Sequence, residues 1–225
     1  MPQRLQVVLE PRKSPVQARS AASVAAILEA TIQVLLNAGK QRLTTTNVAL
    51  RAGVSVGTLY QYFPNKNALL QAVLKRHLAG VAETVERVCH QHKGHSLEQM
   101  ASALITAFLQ AKMRDVKTSA ALYAVSSDVD GAKIAQQMGI RTNKAIVAML
   151  KTARERLSTD PQLVASMLQA VMFGVSRRLL ESAAPEKQLD ILRREMILLA
   201  SAYLKACTVS AGIDIRELRP QRRAI

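Results

Sequence analysis

The sequence predicts an all-α fold, and two observations carry that expectation. The 225 residues include only nine glycines, seven prolines, four tyrosines and three phenylalanines, whereas alanine, leucine, glutamine, lysine and arginine are abundant, a composition that favours helices over sheets. Apolar residues also recur at spacings of three and four along most of the chain, the period of a helix with one buried face.

Residues 1–18 hold three prolines and the basic pair Arg12 and Lys13 without a sustained period, which reads as a flexible basic arm. From residue 19, Val24, Ile27, Leu28, Ile32, Leu35 and Leu36 define an amphipathic helix that ends at Asn37, Ala38 and Gly39. Thr44, Thr45 and Thr46 offer hydroxyls to cap a short helix running to Ala52, and Gly53 supplies the turn after it. Ser55 can cap a second short helix. Pro64 disfavours helical backbone at Phe63, so that helix stops near Tyr62. A long helix follows from residue 65 or 66 to about 91. Further helices are expected over 97–112 with Ser96 as cap, around 119–126, and from 132 to 157. Asp160 and Pro161 read as a cap and first residue of a helix to 183, and Pro185 opens the last, to 207. The stretch 212–225, with four arginines and one proline, reads as a basic tail. The resulting organisation is an arm over 1–18, a helix-turn-helix unit over 19–66, a helical domain over 67–210 and a tail over 211–225.

The formal net charge of +15 and pI near 10.4 point to a polyanionic partner. No Asp or Glu stands between Glu29 and Glu83, while Lys40, Arg42, Arg51, Lys66, Lys75 and Arg76 do, as expected of a surface that approaches phosphates. Cys89 and Cys207 lack paired spacing, so neither a disulfide framework nor a zinc ribbon is expected. The run from Leu5 to Leu9 is too short for a signal-peptide core. No stretch reads as the roughly 18 uncharged apolar residues of a membrane span, and a cytoplasmic protein without a membrane partner is expected.

The two short helices joined at Gly53 describe a helix-turn-helix. On a wheel, Leu59 and Phe63 share one side, with Val56 close by, and would pack on Val48 and Ala49. The other side presents Gly57, Thr58 and Gln61 as a slim crest for base edges, flanked by Tyr60 and Tyr62, whose hydroxyls can reach phosphates. Gly57 weakens the helix by about 1 kcal/mol relative to alanine but lets its backbone approach DNA. Lys66 stands at the start of the next helix, where amides also favour a phosphate.

The segment from about 19 to 75, through "LEATIQVLLNAG" and "TTTNVALRAGVSVGTLYQYFPNKNALL", resembles the tetracycline-repressor-like (TetR) family of bacterial transcriptional regulators. The resemblance implies that Thr45, Val56, Gly57, Thr58, Tyr60, Tyr62 and Lys66 lie at the DNA surface and that Thr44 caps the first short helix. The chain departs from the family pattern at Lys40, where an aromatic is usual, and at Asn47 and Asn67, where acids are usual, which puts local helix-end stabilisation in question.

The resemblance further implies a C-terminal domain for dimerisation and for sensing a small molecule. The last two helices are apolar nearly all round, through Leu163, Val164, Met167, Leu168, Val171, Met172, Phe173 and Val175 in one and Ile191, Leu192, Met196, Ile197, Leu198, Leu199, Tyr203 and Leu204 in the other. Such helices need cover on more than one side, which a partner's equivalent helices would supply in a homodimer. A dimer also suits two half-sites about 34–36 Å apart, or a multiple of it, on a near-palindromic operator. Candidate pocket residues are Phe108, Met113, Tyr123, Met138, Met149, Met167, Met172 and Phe173, with Arg114, Arg141, Arg177 and Arg178 as candidates to pair an acidic ligand. The run from Cys89 to His95 matches no closed zinc pattern, and Asp128 and Asp130 read as loop residues. No Walker A loop, Gly-x-Ser-x-Gly elbow or His-Glu-x-x-His pair occurs, so neither catalysis nor a cofactor is expected. The expected function is a repressor that a small molecule releases from DNA. The alternative is an architectural DNA-binding protein without an effector, which would show weak sequence preference and steep salt dependence.

Overall fold

The helix-capping signals set most element ends in the computed structural model, which describes residues 18–182 and 184–208. Nine α-helices and one 3-10 turn occur among these residues, with no strand. The basic arm, including Arg12 and Lys13, and the basic tail lie outside them, apart from residue 18.

Helix α1 (Ala18–Arg42) breaks at Gly39, whose φ of 74° lies in the left-handed region, a conformation that glycine adopts without steric cost. Thr44 caps α2 (Thr45–Ala52) by accepting from the Asn47 amide, and Gly53 closes it at φ 67° with its own amide bonded to the Ala49 and Leu50 carbonyls. Ser55 caps α3 (Val56–Tyr62), and Phe63 leaves the helix in extended backbone, as the following proline requires. Asn65 then caps α4 (Lys66–Gln91) through the Ala68 amide, 2.9 Å away.

Ser96 and Gln99 form a reciprocal capping box for α5 (Leu97–Met113). Helix α6 (Val116–Val125) starts earlier than the sequence suggests, because Asp115 caps it, accepting from the Thr118 amide at 2.9 Å and the Thr118 hydroxyl at 2.6 Å. The 3-10 turn Ser126–Asp128 leads to α7 (Gly131–Leu150), followed by α8 (Pro161–Glu181) and α9 (Pro185–Ala206).

Helix α7 ends at Leu150 rather than the expected 157. Residues 151–157 are good helix formers, but tertiary bonds take over their polar groups. The Arg154 amide donates to the His95 carbonyl at 3.1 Å, its Nε donates to the Gly94 carbonyl at 3.1 Å, and Glu155 accepts from the Leu97 amide at 2.9 Å. The loop thus satisfies the exposed start of α5. It also meets the end of α9, where the Ser158 amide donates to the Cys207 carbonyl at 2.7 Å.

Two cores organise the chain. The first joins Ile27, Leu43, Val48, Ala49, Leu59, Phe63, Leu69 and Val73. It also takes in Leu122, Val125, Val129 and Ile134 from the α6–α7 region. The second joins Val81, Val85, Cys89, Leu104, Phe108, Ile146, Leu168 and Met196 from α4, α5, α7, α8 and α9. Helix α4 contributes its first half to one core and its second half to the other. Between α7 and α8, Asn143 donates to Gln169 at 2.9 Å, and Gln169 donates to Thr142 Oγ1 at 2.7 Å and to the Gly139 carbonyl at 3.0 Å. These buried amides are satisfied by each other, as interior polar groups must be.

By length and composition alone, Ser20–Arg42 and Pro161–Glu181 are apolar enough to cross a membrane, although Glu29 interrupts the first and Arg177 and Arg178 follow the uncharged run of the second. The first is rich in alanine, and in both most polar positions hold uncharged residues such as serine and glutamine. Ile27 and Leu35 of the first and Val164 and Leu168 of the second are core residues.

Candidate nucleic-acid interface and internal cavity

Leu59 and Phe63 are fully buried against Val48 and Ala49 and hold α3 to the domain. Each such side chain contributes about 1.5–3 kcal/mol by its removal from water. Val56, placed near the packing side on the wheel, is instead exposed at 36% of its surface, and Tyr60 at 40%. Gly57, Gln61 and Lys66 are exposed as well, whereas Thr58 and Tyr62 are half-buried, the Tyr62 ring resting on the first core.

Two hydroxyl pairs order this surface. Thr45 Oγ1 and the Tyr60 hydroxyl lie 3.0 Å apart, tying the start of α2 to α3. Ser55 Oγ accepts from the Thr58 amide at 3.0 Å and lies 2.8 Å from the Thr58 hydroxyl. In each pair one hydroxyl proton serves the partner and the other remains available to an outside acceptor.

Two of the three departures from the family pattern, Asn47 and Lys40, find local partners. Asn47 donates its side-chain amide to the Arg42 carbonyl at 3.1 Å, which a carboxylate could not do. Lys40 pairs with Asp128 at 2.6 Å, linking the end of α1 to the α6–α7 turn. Not every cation of the acid-free window faces outward for DNA, since Arg76 also pairs with Glu29 at 3.5 Å and Arg51 donates to Gln33 at 2.6 Å.

A cavity of about 500 Å³ lies between α4, α5, α6, α7 and α8. Five of the eight candidate residues line it, namely Phe108, Tyr123, Met138, Met172 and Phe173. The Phe108 and Phe173 rings meet at 5.8 Å between centroids. Met113 and Met149 are core residues instead, and Met167 is 46% exposed on the outer face of α8. Their spacing alone could not separate wall from core. Of the four arginines, only Arg177 lines the cavity; it pairs with Glu181 at 3.0 Å and sits 5.7 Å from the Tyr123 ring centroid. Arg141 is paired with Glu86, and Arg114 and Arg178 are exposed.

His77, Lys112 and Ser119 also line the cavity, although none of them belongs to the expected pocket set. A lysine within the apolar run "ALITAFLQAKM" was the available signal. Ser119 donates to the Lys112 carbonyl at 2.7 Å, so at 3.2 Å from His77 Nε2 it accepts from that nitrogen. Burial, with the nearby Lys112 charge, lowers the His77 pKa to about 4, and burial lowers that of Lys112. Among the described residues no group of three or more His, Cys, Asp or Glu could hold a metal. Cys89 is buried, its pKa pushed up to about 12 by desolvation and by Glu86, and His92 lies within 3.0 Å of the Val88 carbonyl.

A short helix held by its inner face, with its outer face open, beside a capped helix across a left-handed turn, defines a helix-turn-helix transcription regulator. Residues 27–73 match the family model described as bacterial regulatory proteins, tetR family, and residues 96–204 match the tetracyclin repressor-like C-terminal domain. The chain belongs to the TetR family of DNA-binding transcriptional regulators. Over 79 residues it is 30% identical to the HTH-type transcriptional regulator BetI of Escherichia coli, a match covering 35% of this chain and 40% of that relative. Solved structures share the fold at lower identity. A chain from Mesorhizobium loti aligns at a TM-score of 0.70 and 19% identity, covering 86% of this chain and 100% of that one. SmeT, the repressor of the Stenotrophomonas maltophilia efflux pump SmeDEF, aligns at 0.60 and 23%, covering 86% and 93%. FadR of Thermus thermophilus, solved with lauroyl-CoA, aligns at 0.56 and 21%, covering 79% and 93%.

Proposed function

We propose that this protein is a ligand-responsive repressor that binds a near-palindromic operator as a homodimer and leaves it when a small molecule fills the cavity. Thr45, Val56, Gly57, Thr58, Tyr60, Gln61, Tyr62 and Lys66 form the DNA surface, with Val56, Thr58 and Gln61 toward bases and the tyrosines and Lys66 toward phosphates. Residues 19–66 serve as the DNA-binding unit and 67–210 as the sensing and dimerising unit. Leu163 and Met167 of α8 and Ile191, Leu198 and Leu199 of α9, all more than two-fifths exposed, meet their counterparts across a two-fold axis.

One observation carries the ligand-responsive part. Ser126, Ser127 and Gly131 line the cavity, while Val125, Val129 and Ile134 of the same stretch lie in the core that seats the DNA-facing helices. A ligand that fits best with this wall displaced therefore also biases where α3 sits, by as much as its differential affinity for the two states. The solved complex of FadR with lauroyl-CoA is consistent with ligand binding on this fold. The test is to select genomic fragments with the purified protein and then screen compounds for release. Sequence-selective fragments released by a compound support the reading; uniform capture, unaffected by any compound, would overturn it.

A further inference from the structure

The chargeable residues on the cavity wall are His77, Lys112, Tyr123 and Arg177; no Asp or Glu is among the lining residues. Arg177 already has its counter-ion in Glu181 at 3.0 Å. Lys112 makes no ion pair among the described residues and is half-buried beside apolar walls such as Leu78, Val81 and Phe108. Asp115, whose charge acts on His77, is occupied in capping α6 through Thr118 at 2.9 and 2.6 Å. Arg114 and Lys112 both lower the proton affinity of His77 electrostatically, whereas Asp115 raises it, so positive influence prevails there. A desolvated ammonium without an anion is costly, and a bound carboxylate offsets that cost with a charge-assisted hydrogen bond.

We propose, on the reading that this cavity is the effector site, that it takes an amphipathic organic monoanion, its head group beside Lys112, His77 and Ser119 and its apolar body along the phenylalanine and methionine walls. The Ser119 hydroxyl and Nε2 of His77 are committed to each other and to the Lys112 carbonyl, so in the neutral histidine Nδ1 is the remaining acceptor. Lys112 is thus the group that recognises the charge, while His77 and Ser119 fix the geometry around it.

Calorimetric titration with octanoate, 1-octanol and octyltrimethylammonium, all below their micelle concentrations, compares one apolar tail with three head groups. Octanoate should bind about ten- to hundredfold more tightly than 1-octanol, and the cation should bind weakest. Lys112→Met should bring the octanoate to octanol ratio close to one, and Lys112→Arg should keep the anion preferred, which guards against a misfolded variant. Equal binding of octanol, preference for the cation, a ratio that survives Lys112→Met, or no binding of any probe would each overturn the assignment. Release of selected DNA fragments is read separately. Anion preference without release would overturn the effector reading and leave this ligand class standing. Release by octanol as readily as by octanoate would do the reverse.

Discussion

Gly57 stands exposed at the start of α3, and the proposed close approach of DNA gives its lack of a side chain a purpose. A methyl group added there would approach only Ser55 Oγ, at 3.7 Å, an ordinary contact. Nothing within the fold therefore requires glycine, and alanine is the better helix former by up to about 1 kcal/mol. Gly57→Ala should raise the unfolding free energy slightly while weakening operator binding, as denaturant titration and DNA titration would show; unchanged DNA affinity would remove the close approach from the account. His77 carries a pH signature of its own. Its pKa falls from 6.5 to about 4 in the fold, so the folded state holds it neutral while the unfolded chain binds a proton more readily. Stability from this group is complete above pH 6.5 and is lost as pH falls from there toward 4. Thermal unfolding of wild type and His77→Gln over pH 4–8 should show a steeper acid loss in the wild type.

At the scale of elements, caps were the most legible features, because Thr44, Ser55, Ser96 and Asp160 act on neighbouring amides. The positions of Leu59 and Phe63 were equally readable, since one helix wheel and Pro64 determine them. The end of α7 was not, because its competing partners at Gly94, His95 and Leu97 are distant in sequence. The same limit applied to the cavity. Met113 and Met138 look alike along the chain, and only packing separates a core methionine from a wall methionine. The Lys40–Asp128 contact joins two residues that read separately as an unusual substitution and a loop acid. As a half-exposed ion pair it is worth under about 1 kcal/mol, yet it spans from the DNA-binding unit to the cavity wall. Lys40→Met should therefore barely change the melting temperature but shift the compound concentration needed for half-release of DNA. A large loss of stability with unaltered release would assign the pair a purely structural role.

For the whole molecule, α4 belongs to two cores, and the α6–α7 stretch belongs to one core while lining the cavity. In the proposed repressor, this shared packing is what would carry a displacement of the cavity wall to α2 and α3. Leu163, Met167, Ile191, Leu198 and Leu199 expose apolar surface on α8 and α9, and the proposed homodimer would cover it. Leu198→Glu, at a position 64% exposed, should leave the monomer folded and shift sedimentation from dimer to monomer, with operator affinity falling as two-site binding is lost. The central claim is that α3 reads DNA, and fluorescence anisotropy on a selected operator duplex and a scrambled duplex at one fixed salt concentration tests it most directly. The wild type should favour the operator by about 10³-fold or more, and Tyr60→Phe should reduce operator affinity by about one to a few kcal/mol with folding and dimerisation intact. Equal affinity for both duplexes, or an operator affinity untouched by Tyr60→Phe, would contradict it.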